Sequence, residues 1–288
     1  MRLLDEETHG RIYEERVRPI LFEAATASTA PRLVVVGGQP GAGKTNAMHA
    51  ALRDLARYGE GAVYINGDEL RPFHPRYASL VAEDRSTAAD KTGADVGLWV
   101  ERAIREAAAD RHHAVIETTM RQPDVVRRSA EQFIAQGFRF EMRVVAVHPE
   151  LSRLAIYDRF NNGLNDSHAL PRFTLARYHA EALAAMPKTL EAIGKLAATV
   201  RLVDRQGQEL YSSASSKVSP SKALADFRRQ PLADADRQRI AGRWARLVEL
   251  LDRDGVPQLV RDGVQAEQAR FAAVPRAGRS RGKAGPGG

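Results

Sequence analysis

A complete phosphate-binding loop constrains this chain more than any other feature of its sequence. The residues Gly38-x-x-x-x-Gly43-Lys44-Thr45 match the pattern G-x-x-x-x-G-K-[ST]. A run of three valines precedes the loop and a helix-like stretch follows it. Such a loop requires this order, because glycines let the backbone amides turn inward and the helix directs its positive end at an anion. The alternative, a glycine-rich turn with an exposed lysine, is disfavoured by the flanking strand and helix.

The loop predicts a ligand and its contacts. A nucleoside triphosphate with Mg²⁺ is the natural occupant; ATP is favoured over GTP because the chain has no N-K-x-D guanine signature. We expect Lys44 to reach the outer phosphates and the Thr45 hydroxyl to hold the metal. The predicted nucleotide-binding residues are Gly38, Gln39, Pro40, Gly41, Ala42, Gly43, Lys44 and Thr45.

Short apolar segments alternate with longer helical ones after residue 31. The predicted strands are 32–37, 62–66, 113–117, 140–147 and 199–204, and the predicted helices between them are 45–58, 93–109, 123–136, 149–160 and 174–196. This alternation indicates an α/β fold with a parallel five-stranded sheet and helices on both faces. Ligands of such sheets bind beyond the carboxyl ends of the strands.

We divide the chain into four regions. Residues 1–30 are predicted to form an N-terminal helix and linker, 31–205 an α/β domain built on the phosphate loop, 206–273 a helical C-terminal extension, and 274–288 a disordered basic tail. The extension begins with a polar stretch and contains two helical segments, 231–253 and 257–273.

Composition restricts the possible functions. The chain of 288 residues has no cysteine, which excludes disulfides, cysteine nucleophiles and thiolate metal sites. Four arginines and lysines in 275–288 account for part of the net charge of +7, leaving +3 elsewhere (7 minus 4). That glycine- and proline-rich tail is typical of disorder, and nucleic-acid binding is the less favoured interpretation. Because the chain has no long apolar run and no N-terminal signal pattern, we expect a cytoplasmic protein with no membrane partner.

Asp68 is the candidate general base. It follows the second predicted strand, on the loop where an acceptor hydroxyl can approach the terminal phosphate. A carboxylate at that position can take the proton of the acceptor, as an aspartate does in kinase chemistry. The alternative is that Asp68 caps the helix that begins at Glu69.

Polar groups also end the third predicted strand, where Glu117, Thr118, Thr119 and Arg121 emerge together. Such a surface suits a polar, hydroxylated substrate, although Glu117 is alternatively the acidic partner of Mg²⁺. His74 lies just past Asp68, where substrate contact and loop packing are equally plausible. The histidines show no metal-ligand spacing such as H-E-x-x-H, so we expect no separate metal site.

Two arginines flank an Asn/Gly/Asp-rich segment, 161–168, that we interpret as a flexible lid. Arg159 precedes the segment and Arg172 follows it. Arginines beside a lid can neutralise charge on a transferring phosphoryl group. Each one alone would be interpreted as a solvated surface arginine, since the chain contains 43 lysines and arginines.

Taken together, these motifs resemble the zeta toxin family of P-loop kinases, the toxin half of epsilon/zeta toxin–antitoxin systems. The resemblance covers residues 31–204 and rests on GGQPGAGKT, NGDELRPFHPRY and VIETTMR, followed by one arginine on each side of a loop. It implies a P-loop kinase-like sheet. It also implies an enzyme that uses ATP (or GTP) and Mg²⁺ to phosphorylate the 3′-hydroxyl of the aminosugar in UDP-N-acetylglucosamine.

The resemblance also implies a role for each site residue. Lys44 and Thr45 would hold phosphates and magnesium, and Asp68 would be the general base. Arg159 and Arg172 would clamp the phosphates, while Glu117, Thr119 and Arg121 would bind the substrate. Thr118 departs from the family, where glycine is common. An epsilon-like antitoxin is the partner that the resemblance implies.

Three functional hypotheses remain open from the sequence. The favoured one is a kinase that acts on a UDP-activated aminosugar. A kinase of another nucleotide conjugate, such as a dinucleotide, would use the same chemistry with a different acceptor pocket. A nucleotide-dependent binding module, attached to nucleic acid by its basic tail, would need the phosphate loop but neither the base nor the arginines. The extension from about residue 206 is interpreted as a substrate-selecting element, a cover or a structural prop.

Overall fold

The computed structural model describes residues 2–58, 61–165 and 173–274. Its six strands, counted over those residues, are β1 (Arg32–Gly37), β2 (Ala62–Ile65), β3 (His113–Thr118), β4 (Arg139–Val145), β5 (Thr199–Val203) and β6 (Glu209–Ser212). They form one sheet in the order β2-β3-β1-β4-β5-β6.

The helices surround this sheet. They are α1 (Glu6–Ile12), α2 (Arg18–Phe22), α3 (Lys44–Ala56), α4 (Gly67–Leu70), α5 (Tyr77–Glu83), α6 (Ala88–Lys91), α7 (Gly93–Ala109), α8 (Pro123–Ala135), α9 (Pro149–Leu164), α10 (Ala176–Gly194), α11 (Pro220–Arg229), α12 (Asp234–Leu251) and α13 (Gln258–Ala272). A π-helical turn, Tyr13–Val17, joins α1 to α2, and a 3₁₀ turn, Arg71–Phe73, follows α4. In the described part of the chain, none of the helices combines the length and the apolar character that a membrane crossing requires.

The middle of the sheet is parallel and positions the nucleotide loop. β1 pairs with β3 on one side and with β4 on the other, and β2 and β5 extend the sheet in the same direction. The chain therefore leaves β1 towards one half of the sheet and later crosses to the other half. The carboxyl end of β1 lies where the strand order reverses, which is where such sheets bind ligands.

The valines of β1 divide between two cores. Val34 and Val36 pack with the apolar side of α3, whereas Leu33 and Val35 face the larger core on the opposite side of the sheet. Both sets are buried, so β1 is covered on both faces, as expected of a central parallel strand. The predicted α/β fold class is confirmed.

The sheet has one strand more than the sequence predicts. β6 pairs antiparallel with β5, in a segment that the sequence analysis interprets as a polar stretch. Two of its residues are exposed and two are half-buried, and they lack an apolar alternation. The hairpin depends instead on its turn, where the Asp204 carboxylate accepts hydrogen bonds from the amides of Gln206 and Gln208 and Gly207 adopts a φ of 85°. The predicted five-stranded parallel sheet is therefore corrected to a six-stranded sheet with five parallel strands and one antiparallel edge strand.

The helices of the C-terminal part form a second core against α9. Trp244 of α12 is fully buried and contacts the Tyr157 ring edge-on, with 5.3 Å between ring centroids. Phe173 packs edge-on against both Tyr157 and Phe160. The two helices predicted at 231–253 and 257–273 are present as α12 and α13, while α11 lies in a segment for which the sequence predicts no helix.

Candidate active site

The phosphate loop connects β1 directly to α3, and two of its glycines have backbone conformations that other residues rarely adopt. Gly41 and Gly43 have φ values of 77° and 84°. A Cβ on Gly41 would lie 2.0 Å from the carbonyl oxygen of Ser152. Gly41 is therefore required both by its conformation and by the close approach of α9.

Lys44 lies at the centre of a cluster of charges. Its Nζ donates to the Gly38 carbonyl at 3.2 Å and lies 3.6 Å from Glu117 Oε1. Burial lowers the pKa of Lys44, and the positive charge of Arg159 lowers it further. The negative charges of Glu117, which has the larger effect, and of Asp68 raise the pKa of Lys44. All three side chains are thus close enough to act on the Lys44 ammonium.

Glu117 is held by residues at the end of the neighbouring strand. Its Oε2 accepts a hydrogen bond from the Tyr64 hydroxyl at 3.0 Å and one from Asn66 Nδ2 at 3.4 Å. Burial raises the pKa of Tyr64, and the Glu117 charge raises it further, so Tyr64 remains a protonated donor at neutral pH. The carboxylate of Glu117 is thereby oriented with Oε1 towards Lys44.

Asp68 lies on the first turn of α4, but it does not cap that helix. The cap is Asn66, whose side-chain oxygen accepts from the Asp68 amide at 3.0 Å. Asp68 Oδ1 pairs with Arg71 Nε at 3.1 Å, and 47% of the Asp68 side chain is exposed. The alternative interpretation of Asp68 as the cap is therefore wrong, because the residue two positions earlier performs that function.

Arg159 projects from α9, which continues further than the sequence predicts. The helix ends at Leu164, and Asn161 is buried within it, so the first part of the predicted loop 161–168 is helical. Arg159 Nη2 donates to Thr174 Oγ1 at 2.9 Å. Arg172 lies outside the described residues.

Arg121, also predicted at the end of β3, contacts α10. Thr119 is exposed, and Met120 adopts a left-handed φ of 57°. Arg121 stacks over the Tyr178 ring at 4.3 Å and lies 3.6 Å from Glu181, both on α10. Arg121 therefore borders a groove beside α10, whereas Glu117 borders the phosphate loop.

His74 lies in the interior. Its Nε2 is 3.3 Å from Asp95 Oδ2, and its Nδ1 accepts from the Arg76 amide at 3.2 Å. Only 1% of the residue is exposed, and its ring packs near Trp99. The substrate contact predicted for His74 is not supported by this placement. Loop packing, the alternative left open by the sequence, describes the position.

Some residues at this site were missed by sequence reasoning. Arg205 Nη2 donates to the Gly41 carbonyl at 2.8 Å and to the Leu151 carbonyl at 3.0 Å. The Gln39 side chain is buried behind the loop, where Nε2 donates to Ser152 Oγ and Oε1 accepts from Arg228 Nη2. The nucleotide contact predicted for Gln39 as a residue of the loop stays a prediction. Arg205 could have been found from the sequence, because it follows β5 at the carboxyl edge of the sheet, where ligands bind. The sequence around Arg228 gives no comparable indication of a role at this site.

The site lies on a fold that known proteins share. The Zeta toxin family model matches residues 20–216. Toxin zeta of Enterococcus hirae is 28% identical over 207 residues, which are 71% of this chain and 71% of that protein. A solved structure from the PezAT chromosomal toxin–antitoxin system of Streptococcus pneumoniae is 20% identical, with a TM-score of 0.70 over 87% of this chain and 98% of that one.

A second solved structure, AvrRxo1-ORF1:-ORF2 with ATP, has the same fold at lower similarity. It is 14% identical, with a TM-score of 0.52 over 93% of this chain and 89% of that one. The family match, by contrast, is made on sequence and extends from α2 through the phosphate loop to just beyond β6. Because that match spans more than half of the residues, the chain belongs to the zeta toxin family.

Proposed function

We propose that this protein is an ATP- and Mg²⁺-dependent kinase that phosphorylates the 3′-hydroxyl of the aminosugar in UDP-N-acetylglucosamine, and that it acts as the toxin of a toxin–antitoxin system. The observation that carries the proposal is that Glu117 lies 3.6 Å from the Lys44 ammonium and that the charges of Asp68 and Arg159 also act on it. A module that only binds a nucleotide needs the phosphate loop, but it has no use for a half-exposed carboxylate and an arginine beside it.

The proposed reaction assigns one task to each of these groups. Lys44 and the loop amides bind the phosphates of ATP, and Arg159 neutralises charge on the phosphoryl group as it is transferred. The oxygen of the acceptor hydroxyl forms a bond to the γ-phosphorus, and Asp68 accepts the proton that this hydroxyl loses. The bond between that phosphorus and the β–γ bridging oxygen breaks, and ADP leaves with the electron pair.

Magnesium fits the groups beside the loop. Thr45 is exposed at the start of α3, and Glu117 supplies a carboxylate next to Lys44. Hydroxyl and carboxylate oxygens suit Mg²⁺, which proteins usually hold with one or two such groups and the phosphates of the substrate. Bound there, the ion would neutralise phosphate charge.

The acceptor is proposed from family membership and from the polar residues that follow β3. Thr119 is exposed at the end of β3, and Arg121 borders the adjoining groove, so both remain candidates for substrate contact. Arg172 remains a candidate phosphate clamp by family resemblance. A dinucleotide or another nucleotide conjugate is the competing acceptor within the same chemistry.

The toxin assignment and the partner rest on the relatives. The Enterococcus hirae relative is called toxin zeta, and the Streptococcus pneumoniae structure comes from a toxin–antitoxin system. We propose that an antitoxin protein binds this chain, that residues 31–205 form the kinase domain, and that 206–273 form its helical extension. ATP is favoured as the nucleotide because a protein of the same fold has been solved with ATP.

The test is to incubate the purified protein with ATP, Mg²⁺ and a panel of UDP-sugars and dinucleotides, and to follow the products by ³¹P NMR and mass spectrometry. Asp68→Asn removes the base at nearly constant shape, and Asp254→Asn, at an exposed position between α12 and α13, is its control. We expect a new phosphomonoester on UDP-N-acetylglucosamine with wild type and Asp254→Asn, and none with Asp68→Asn. If only a dinucleotide is phosphorylated, the dinucleotide replaces UDP-N-acetylglucosamine as the proposed acceptor. If the protein binds ATP but forms no product, the binding-module hypothesis is favoured.

A further inference from the structure

The phosphate loop is supported from behind by a residue of the C-terminal extension. Gln39, inside the loop, is fully buried, and its amide group is fully hydrogen-bonded. Its Nε2 donates to the Val147 carbonyl and to Ser152 Oγ, both at 3.2 Å. Its Oε1 accepts from Arg228 Nη2 at 2.9 Å, across 189 positions of sequence. Gln39 therefore anchors the loop to the protein interior, and Arg228 provides one side of the anchor.

The Arg228 side chain lies between α11 and α10. Nη2 also lies 2.7 Å from the Met186 sulfur, and Nη1 donates to the Leu183 carbonyl at 3.4 Å. The helix that carries it is fixed by Leu224, which is fully buried in the main core. Because α11 and α10 are both packed in place, the guanidinium is held rigidly against Gln39.

The Arg228 charge has no acidic partner among the ion pairs of residues 2–58, 61–165 and 173–274, and its hydrogen bonds go to neutral groups. Burial lowers the pKa of Arg228 to about 10, so the side chain remains a cation at neutral pH. A partly buried cation without a counter-ion is costly in a fold unless something offsets it. Polyphosphate bound in the loop that contains Gln39 would supply negative charge.

We propose that Arg228 is a positioning residue for nucleotide binding: it holds Gln39, and through it the turn 39–43, in the conformation that binds phosphate. This inference rests on the proposed function, since it needs a nucleotide in the loop. It assigns part of the C-terminal extension to the nucleotide site, although α11 lies beyond the matched residues 20–216.

The test measures the dissociation constants of MgATP and of inorganic triphosphate by isothermal titration calorimetry. Arg228→Met removes the charge and the hydrogen bonds at similar size, and Arg229→Met, the exposed neighbour that pairs with Asp226, is the matched control. We expect Arg228→Met to raise both constants about tenfold at unchanged stoichiometry, and Arg229→Met to bind as wild type. We expect Arg228→Lys, which keeps the charge, to restore part of the affinity.

Two results would overturn the inference. One is an Arg228→Met protein that binds both ligands within about twofold of wild type. The other is a lower stoichiometry at unchanged affinity, because that pattern indicates a merely structural role. If Arg228→Met does not fold, Arg228→Lys decides the matter, and wild-type affinity in that variant counts against the inference. If the wild-type protein forms the phosphomonoester and Arg228→Met binds MgATP and triphosphate normally, only this inference is refuted and the proposed function stands. A wild-type protein that binds neither ligand refutes the proposed function with it.

Discussion

Arg243 of α12 donates a hydrogen bond from Nε to Oδ1 of Asp158 at 2.6 Å. Asp158 immediately precedes Arg159 in α9. The next residue of α12, Trp244, packs against Tyr157 of α9. Helix α12 therefore contacts α9 through two residues next to Arg159. Further ion pairs join α13 to α9, namely Arg270 with Glu150 and Arg153 with Glu267. The orientation of Arg159 therefore depends on the C-terminal helices.

Arg243→Met should lower the rate of phosphoryl transfer more than it lowers ATP affinity. Without the Asp158 contact, this part of α9 is less firmly held, and Arg159 loses part of its orientation. We expect kcat to fall about threefold to tenfold with a similar dissociation constant for ATP, as is usual when alignment is lost. Steady-state kinetics beside calorimetry would measure both quantities. Arg246→Met, at an exposed position of the same helix, should have no effect, and an equal loss in both variants would contradict the interpretation.

Gly41→Ala should destabilise the fold and weaken nucleotide binding. A Cβ there would meet the Ser152 carbonyl, and the positive φ adds strain, so we expect a loss of about 2 kcal/mol. The melting temperature should fall by about 4 °C or more. Gly242→Ala provides the contrast, since that glycine lies exposed within α12 with open space around it, and the change should raise stability by up to about 1 kcal/mol. Thermal unfolding that shows equal shifts for the two variants would refute the prediction.

His179 should make the protein less stable as the pH falls from neutral. Burial lowers the pKa of His179 to about 3, and the nearby Arg153, Arg228 and Arg270 charges contribute to that shift. The folded state keeps this ring neutral while the unfolded chain binds a proton near pH 6.5, so stability falls as the pH decreases below that value.

Urea unfolding at pH 7.5 and at pH 5.5 would measure the effect. Wild type should lose about 1 kcal/mol more than His179→Gln between these two pH values. Other histidines contribute equally to both proteins and cancel in the comparison. His49→Gln, at an exposed position of α3, is the matched control. The same pH dependence in wild type and in His179→Gln would show that the buried ring is not the cause.

Removal of residues 275–288 should leave phosphoryl transfer unchanged. This basic segment lies outside the described residues, and none of the proposed catalytic residues lies in it. The truncated and full-length proteins should therefore give the same kcat and KM when ADP release is followed with a coupled enzyme assay. A large loss of rate would assign the tail to the site. A loss of nucleic-acid affinity at unchanged rate would instead support the less favoured interpretation of its charge.

The sequence alone predicted the features that depend on neighbouring residues. Glycine spacing predicts the phosphate loop, a run of β-branched residues predicts the span of β1, and helical periodicity predicts the span of α7. The position of Glu117 at the edge of the sheet where β1 ends also follows, because parallel strands bring their carboxyl ends to one edge. In each case a short stretch of chain, or a general rule of sheets, contains the necessary information. The contact of Glu117 with Lys44 was found only in the structure.

Contacts between distant parts of the chain required the tertiary structure. The burial of His74, the helical conformation of Asn161 and the direction of Arg121 depend on what packs against each of them. The hydrogen bond from Arg228 to Gln39 has no sequence signal, since its two residues lie 189 positions apart. Hydrophobic pattern and local propensity specify the type of an element. Which side chains meet is decided by the packing of complete elements, since that packing determines the distances between their side chains.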